Sequence, residues 1–135
     1  MTIELNRKQT TATAQTVTVG KHSFTVDMSV AEGGIDEGPS PHDLYDAALG
    51  ACKALTLLWY ANKKGIPVTD VHTRVDRDSS AERTGVYRLD ATVQVGGDLS
   101  DAQIAELAAV ISKCPVHKLM TTVTTEITGS VERLA

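Results

Sequence analysis

Residues 40–67 read SPHDLYDAALGACKALTLLWYANKKGIP, and this stretch decides how the rest of the chain is read. Ser40 suits a helix N-cap. Pro41 suits the first helical position, where its missing N–H is not needed. Asp43 follows Ser40 by three residues, a capping-box spacing usually filled by Glu or Gln. Gly65 is placed to end the helix, and Pro67 prevents its continuation. The spacing therefore predicts a helix from Pro41 to about Lys64. Leu44, Ala47, Ala48, Ala51, Cys52, Leu55, Leu58 and Trp59 recur at helical intervals. Leu49, Ala54 and Leu57 widen the apolar surface beyond one stripe. A helix apolar nearly all round belongs at a centre, covered from more than one side. Residues 44–61 are about long enough to span a bilayer. Asp46 and Lys53 argue against that, since each such charge costs roughly 2.5–3.5 kcal/mol at a bilayer centre. A buried helix in a soluble protein is the expectation, with no membrane as partner.

Outward from this helix the pattern changes to period two. Residues 11–19 (TATAQTVTV) and 22–30 (HSFTVDMSV) read as a hairpin around Gly20-Lys21, with Phe24, Val26, Met28 and Val30 on one face. Residues 31–40 form a glycine-rich, acidic loop. After the helix, residues 68–77 place Val71, Thr73 and Val75 on one face. Residues 86–95 place Tyr87, Leu89, Ala91, Val93 and Val95 together, and the polar turn 78–85 makes this a second hairpin. Ser100 with Gln103 forms another capping box, opening a helix that runs to about Lys113 with Ile104, Leu107, Ala108 and Ile111 as its buried stripe. Pro115 breaks it, and a short helix to about Met120 follows. Residues 123–133 read as a last strand. Strands in hairpins, with helices between, favour an α+β fold with antiparallel sheets. So apolar a helix in so small a chain also predicts a homodimer in which two copies of it pack together between sheets.

The chain has 135 residues, which suits one domain over 1–135. Hydrophobic residues at 41% and charged residues at 22% exclude a disordered chain. Thirteen basic and 17 acidic side chains give a net charge of −4, without the basic excess of a nucleic-acid or anionic-membrane binder. One Trp, three Tyr and one Phe leave the core to aliphatic side chains. The N-terminal residues MTIELNRKQT hold no apolar leader, so the cytoplasm is the expected location. Two cysteines in a reducing compartment do not read as a structural staple.

Those cysteines are the first candidates for chemistry. Cys52 lies mid-helix, where a cysteine is commonly a small buried hydrophobe. Cys114 precedes Pro115 and falls at the N-cap of the short helix. A thiol there faces free backbone N–H groups and the positive end of the helix dipole. Facing thiols, one of them activated, would form a peroxidatic and resolving pair. The 62 positions between them (114 − 52) match no short dithiol motif. His22 and His72 fall on strands, at solvent-facing positions. His42 shares roughly one helix face with Cys52 but stands about 15 Å from it along the axis. His117 follows Cys114 by three residues and could approach it, but Cys52, Cys114 and His117 lack any recognised zinc-ligand spacing. Glu32, Asp36, Glu37 and Asp43 around the helix start read as loop charge and capping.

Two segments resemble a known family. GPSPHDLYDAALGACKALTLLWYANKKGIPV (38–68) and SKCPVHKL (112–119) are similar to the two cysteine motifs of the OsmC/Ohr proteins, the osmotically inducible and organic-hydroperoxide-resistance proteins. The resemblance covers essentially the whole chain. It implies an intertwined α+β homodimer whose antiparallel sheets enclose central long helices, with active sites at the dimer interface. It also implies a thiol peroxidase, Cys52 peroxidatic and Cys114 resolving, recycled by an external dithiol such as protein-bound lipoamide. No metal, flavin or haem is implied. The peroxidase members place a Glu ten residues before the first cysteine, where this chain has His42 beside Asp43. They also carry an upstream Arg, and between Lys8 and Pro41 this chain has none. His42, Asp43, Lys53 and His117 are therefore the candidate supporting residues, with Arg7 as a more distant source of charge. Apolar surroundings of Cys52 favour alkyl hydroperoxides over hydrogen peroxide. The alternatives are acyl-type thiol chemistry at Cys52 alone, or a protein without peroxidase activity that binds a small hydrophobic ligand or senses redox state.

Overall fold

In the computed structural model, which covers residues 1–135, the long helix runs Pro41–Lys64 (α1). Both ends form as the local sequence dictates. The Ser40 N–H donates to Asp43 Oδ2 at 2.9 Å, and the Asp43 N–H donates to Ser40 Oγ at 3.1 Å. At the other end Gly65 turns left-handed at φ 70°. Its N–H bonds the Asn62 carbonyl at 3.4 Å, and the Ile66 N–H bonds the Ala61 carbonyl at 2.9 Å. This pair of bonds is a Schellman motif, and Ile66 packs into the same apolar cluster as Ala61.

The chain forms two compact units, Met1–Ala48 with Arg77–Leu89 and Leu49–Asp76 with Asp90–Ala135. The first holds a three-stranded antiparallel sheet, β1 (Ile3–Arg7), β2 (Gln15–Val19) and β3 (His22–Val26), in sequential order. Leu5 pairs with Val17, which pairs in turn with Phe24. The predicted hairpin is present but shorter than 11–19 and 22–30. Strand β1 was not anticipated. All five of its residues are exposed, so its sequence carries no burial pattern; backbone pairing to β2 alone makes it a strand. The predicted strand to residue 30 stops at Val26, and Val30 instead opens a 3-10 turn, Val30–Glu32, that leads into the predicted loop. The reason lies in Asp27, which is buried at 4% exposure. Its carboxylate accepts from the Thr13 hydroxyl at 2.5 Å and from the N–H groups of Met28, Ile35 and Glu37. These bonds gather the following loop and end the strand. The Thr13 hydrogen bond, helped by the three backbone donors, holds the Asp27 carboxyl down at about 2.

The second unit is built on Leu57, Ala61, Ile66 and Leu107. Strands β4 (Asp70–Asp78) and β5 (Arg88–Gly96) pair antiparallel and, like α1, contribute residues to both units. Val71, Thr73 and Val75 alternate with exposed residues, as do Ala91, Val93 and Val95. Gly50 lets α1 approach β4 closely: a Cβ there would stand 2.9 Å from Val75 Cγ2. Helix α2 (Asp101–Ile111) opens on the Ser100–Gln103 capping box, and α3 (Pro115–Thr121) follows with Cys114 as its N-cap.

On α1 the buried stripe is Leu49, Lys53, Leu57 and Ala61, at intervals of four. Leu55, Leu58 and Trp59, from the predicted main stripe, are exposed in the single chain, Leu55 at 66% and Trp59 at 63%. Periodicity located the apolar residues but not which of two apolar faces this chain covers. The last predicted strand is absent. Residues 124–135 carry neither helix nor strand and are exposed throughout. Their β-branched residues favour extended backbone, but a strand needs a pairing partner. No helix is long and apolar enough to cross a membrane.

Candidate functional site

Cys52 projects half-buried from mid-α1. Its sulfur accepts the backbone N–H of Val116 at 3.4 Å and lies 3.9 Å from Thr56 Oγ1, one turn along. Val116 stands two residues after Cys114, in the first turn of α3. Cys114 is fully buried, at 0% exposure. It occupies the N-cap position expected of it, but its side chain makes no capping hydrogen bond. The helix-start N–H goes to Cys52 instead. Tertiary structure thus brings the first thiol to the turn that carries the second.

Lys53 takes another direction from the helix and is buried at 7% exposure. Its ammonium donates to the Ile111 carbonyl at 2.9 Å and to His117 Nδ1 at 3.1 Å. An ammonium has no acceptor, so His117 must present its unprotonated ring nitrogen there. Neither partner is a carboxylate. Lys53 and His117 are therefore brought together, and Lys53 is engaged with the α2–α3 break. Thr56 also lines an open cleft of about 430 Å³ with Tyr60, Glu106, Ala109, Val110 and Lys113. The Tyr60 hydroxyl donates to Glu106 there.

His42 and Asp43 belong to the first unit and engage other groups. His42 Nε2 lies 3.1 Å from both oxygens of Glu82, an exposed pair. Asp43 caps α1 and receives Arg77 Nη2 at 2.7 Å. The Ser40 N–H first, and then Arg77, hold its carboxyl below the ordinary carboxylate range. Arg77 Nε also donates to Asp46 Oδ2 at 2.5 Å, and the Tyr87 hydroxyl donates to Asp46 Oδ1 at 2.6 Å. Burial, and then Asp46, push the Tyr87 hydroxyl up to about 12. His42, Tyr45, Tyr87, Pro41 and Glu82 line a cavity of about 360 Å³. Arg7, the distant candidate, donates to the Ala12 carbonyl.

A family model described as OsmC-like protein matches residues 33–128. The chain belongs to the OsmC-like family. No curated protein sequence matches it. Among solved structures, OsmC-like folds superpose over nearly all of both chains. A Psychrobacter arcticus 273-4 protein, named for an osmotic stress induced and detoxification response, is 17% identical, with a TM-score of 0.76 over 90% of this chain and 89% of that one. A Legionella pneumophila organic hydroperoxide resistance protein OsmC is 18% identical, with a TM-score of 0.65 over 90% and 88%. The organic hydroperoxide resistance protein OhrB of Bacillus subtilis is 23% identical, with a TM-score of 0.59 over 90% and 92%. At these identities the likeness shows the fold.

Within this OsmC-like chain the sequence reading missed Arg77, with Asp46 and Tyr87 around it. A signal was present. Arg77 keeps the strand parity of Val71, Thr73 and Val75, the part-buried positions of β4, although it is itself exposed, and an arginine of that parity is placed to meet acid partners.

Proposed function

We propose that this OsmC-like protein is a cytoplasmic, thiol-dependent organic hydroperoxide reductase, with Cys52 peroxidatic and Cys114 resolving. The observation that carries the reading is the Val116 N–H on Cys52 Sγ, which ties the half-exposed thiol to the turn bearing the buried one. A backbone N–H at a helix start is a donor suited to a thiolate. In the first step the Cys52 sulfur attacks the outer oxygen of the hydroperoxide. The O–O bond breaks, an alcohol leaves with a proton, and a sulfenic acid remains. In the second step the Cys114 sulfur displaces that oxygen as water, and a disulfide forms. An external dithiol of the lipoyl type then exchanges with the disulfide, restoring both thiols and leaving as its own cyclic disulfide. The protein works as a homodimer, because Leu55, Leu58 and Trp59 leave an apolar face of α1 uncovered in one chain.

The test is intact mass after one equivalent of cumene hydroperoxide is added to the reduced protein. Loss of two hydrogens and of both thiols is expected, faster than with hydrogen peroxide. Cys52→Ser abolishes the reaction, and Cys114→Ser stops at the sulfenic acid. Light scattering at micromolar concentration should return twice the chain mass. Absence of oxidation would favour the ligand-binding reading or non-redox thiol chemistry at Cys52 alone, to which the engagement of Lys53 away from Cys52 lends weight.

A further inference from the structure

Cys114 sits fully buried in the break between α2 and α3, where its carbonyl accepts the Lys118 N–H at 3.2 Å as the first bond of α3. Its own N–H reaches the Ile111 carbonyl at 3.4 Å, a long bond. Its side chain caps nothing. Those bonds set the local turn, and the aim of a resolving thiol there depends on what holds that turn against α1, the helix that carries Cys52.

Lys53 reaches this break from α1, from the residue next to Cys52. Ile111 stands three residues before Cys114, and His117 stands three residues after it. The ammonium of Lys53 bonds both, at 2.9 and 3.1 Å. The Ile111 carbonyl accepts the Lys53 ammonium and the Cys114 N–H together. It is also among the last carbonyls of α2, which have no partner within the helix and carry its negative end. A single side chain therefore grips both arms of the break. The placement is costly. Lys53 occupies the buried stripe of Leu49, Leu57 and Ala61, where an apolar side chain would avoid the desolvation of a charge.

We propose that Lys53 is a positioning residue that clamps the Cys114 segment, through Ile111 and His117, so that the Cys114 thiol meets the oxidised sulfur of Cys52. This rests on the peroxidatic and resolving roles proposed above. The step it serves is the attack of the Cys114 sulfur on the Cys52 sulfur. The bond to the leaving group breaks as the S–S bond forms.

That step can be isolated without peroxide, using an aromatic disulfide that releases a coloured thiolate. Cys52 attacks it and releases the first thiolate, keeping the other half as a mixed disulfide. Cys114 then displaces the second thiolate and closes the protein disulfide. In Lys53→Met the second release should slow by about tenfold or more, the scale expected when a reacting group is misplaced, while the first changes little. His117→Leu should slow the second release as well. His117→Asn keeps an acceptor near the Nδ1 position and should restore it. Should Lys53→Met not fold, the two His117 variants carry the test. A merely structural role would lower the melting temperature and leave the ratio of the two release rates as in the wild type. An unchanged second release in folded variants would overturn the proposal. So would a first release slowed as much as the second, or a wild type that gives no second release. If the wild type closes with the aromatic disulfide but is inert to cumene hydroperoxide, the clamp stands and the peroxidase reading falls.

Discussion

Arg77 and Lys53 are both cations reaching from one element to another, and they are matched differently. Arg77, in the first unit, is met by two carboxylates, Asp43 and Asp46, and Tyr87 satisfies the remaining oxygen of Asp46. The hydrogen bonds to Asp43 and Asp46 push its guanidinium above even its ordinary range, so it stays charged. Lys53, in the second unit, has a backbone carbonyl and a neutral ring nitrogen. The first arrangement cancels its charge locally and reads as architecture. The second places a lysine without a carboxylate partner in the unit that holds both thiols, bonded on either side of Cys114. The number of buried charges is therefore a poor guide to function, and the kind of partner is a better one.

The largest expected effect on the architectural side comes from Asp46→Ala. It removes a carboxylate that is 11% exposed from an arginine that is 32% exposed. Losing one member of a fully buried pair costs roughly 3–5 kcal/mol. Partial exposure of Arg77, and its remaining bond to Asp43, reduce this to about 2 kcal/mol. Denaturant unfolding measures it, and a loss below about 0.5 kcal/mol would place Arg77 in the class of ordinary surface ion pairs.

A smaller, local effect distinguishes the carboxylate-built first unit by pH. Asp27 titrates at about 2 when folded, against 3.8 for the free side chain. Its folded value is depressed, so its contribution to stability is present above 3.8 and lost as pH falls through about 2. The amide proton shifts of Ile35 and Glu37, both donors to Asp27, should titrate in NMR with a midpoint near 2. A midpoint near 3.8 would mean those bonds do not hold the loop.

The smallest effect belongs to His42. Its pair with Glu82 is exposed on both sides, at 54% and 43%. His42→Ala should cost under about 1 kcal/mol, less at high salt. A larger, salt-independent loss would show that the cavity beside Tyr45 and Tyr87 depends on it.

The elements with strong local signals were legible residue by residue. Helix α1 begins and ends where Ser40-Pro41 and Gly65 put it, and α2 opens on Ser100 and Gln103. Strand β1 and the exposed tail after Val123 were not legible, because pairing partners decide strands and partners are distant in sequence. At the site, the cysteines were found by their rarity and Lys53 by its place beside one of them. In the fold its ammonium bonds the Ile111 carbonyl and His117 Nδ1. Lys53 falls four residues after Leu49 and four before Leu57, so the spacing put it on one of the two apolar faces of α1 without telling which face is covered. Nor did it give the partners of Lys53, 58 and 64 residues away.

The sequence by itself determined where the helices start and stop, which residues alternate in β4 and β5, and that Cys114 heads a helix. These follow from hydrogen-bonding groups and side-chain periods acting over a few residues. Only tertiary structure decided that the helix-start N–H serves Cys52 rather than Cys114, that Lys53 grips the segment around Cys114, and that Arg77 is neutralised by Asp43 and Asp46. Those outcomes depend on which polar groups a folded chain removes from water together. A buried donor must then take whichever acceptor the packing brings within about 3 Å.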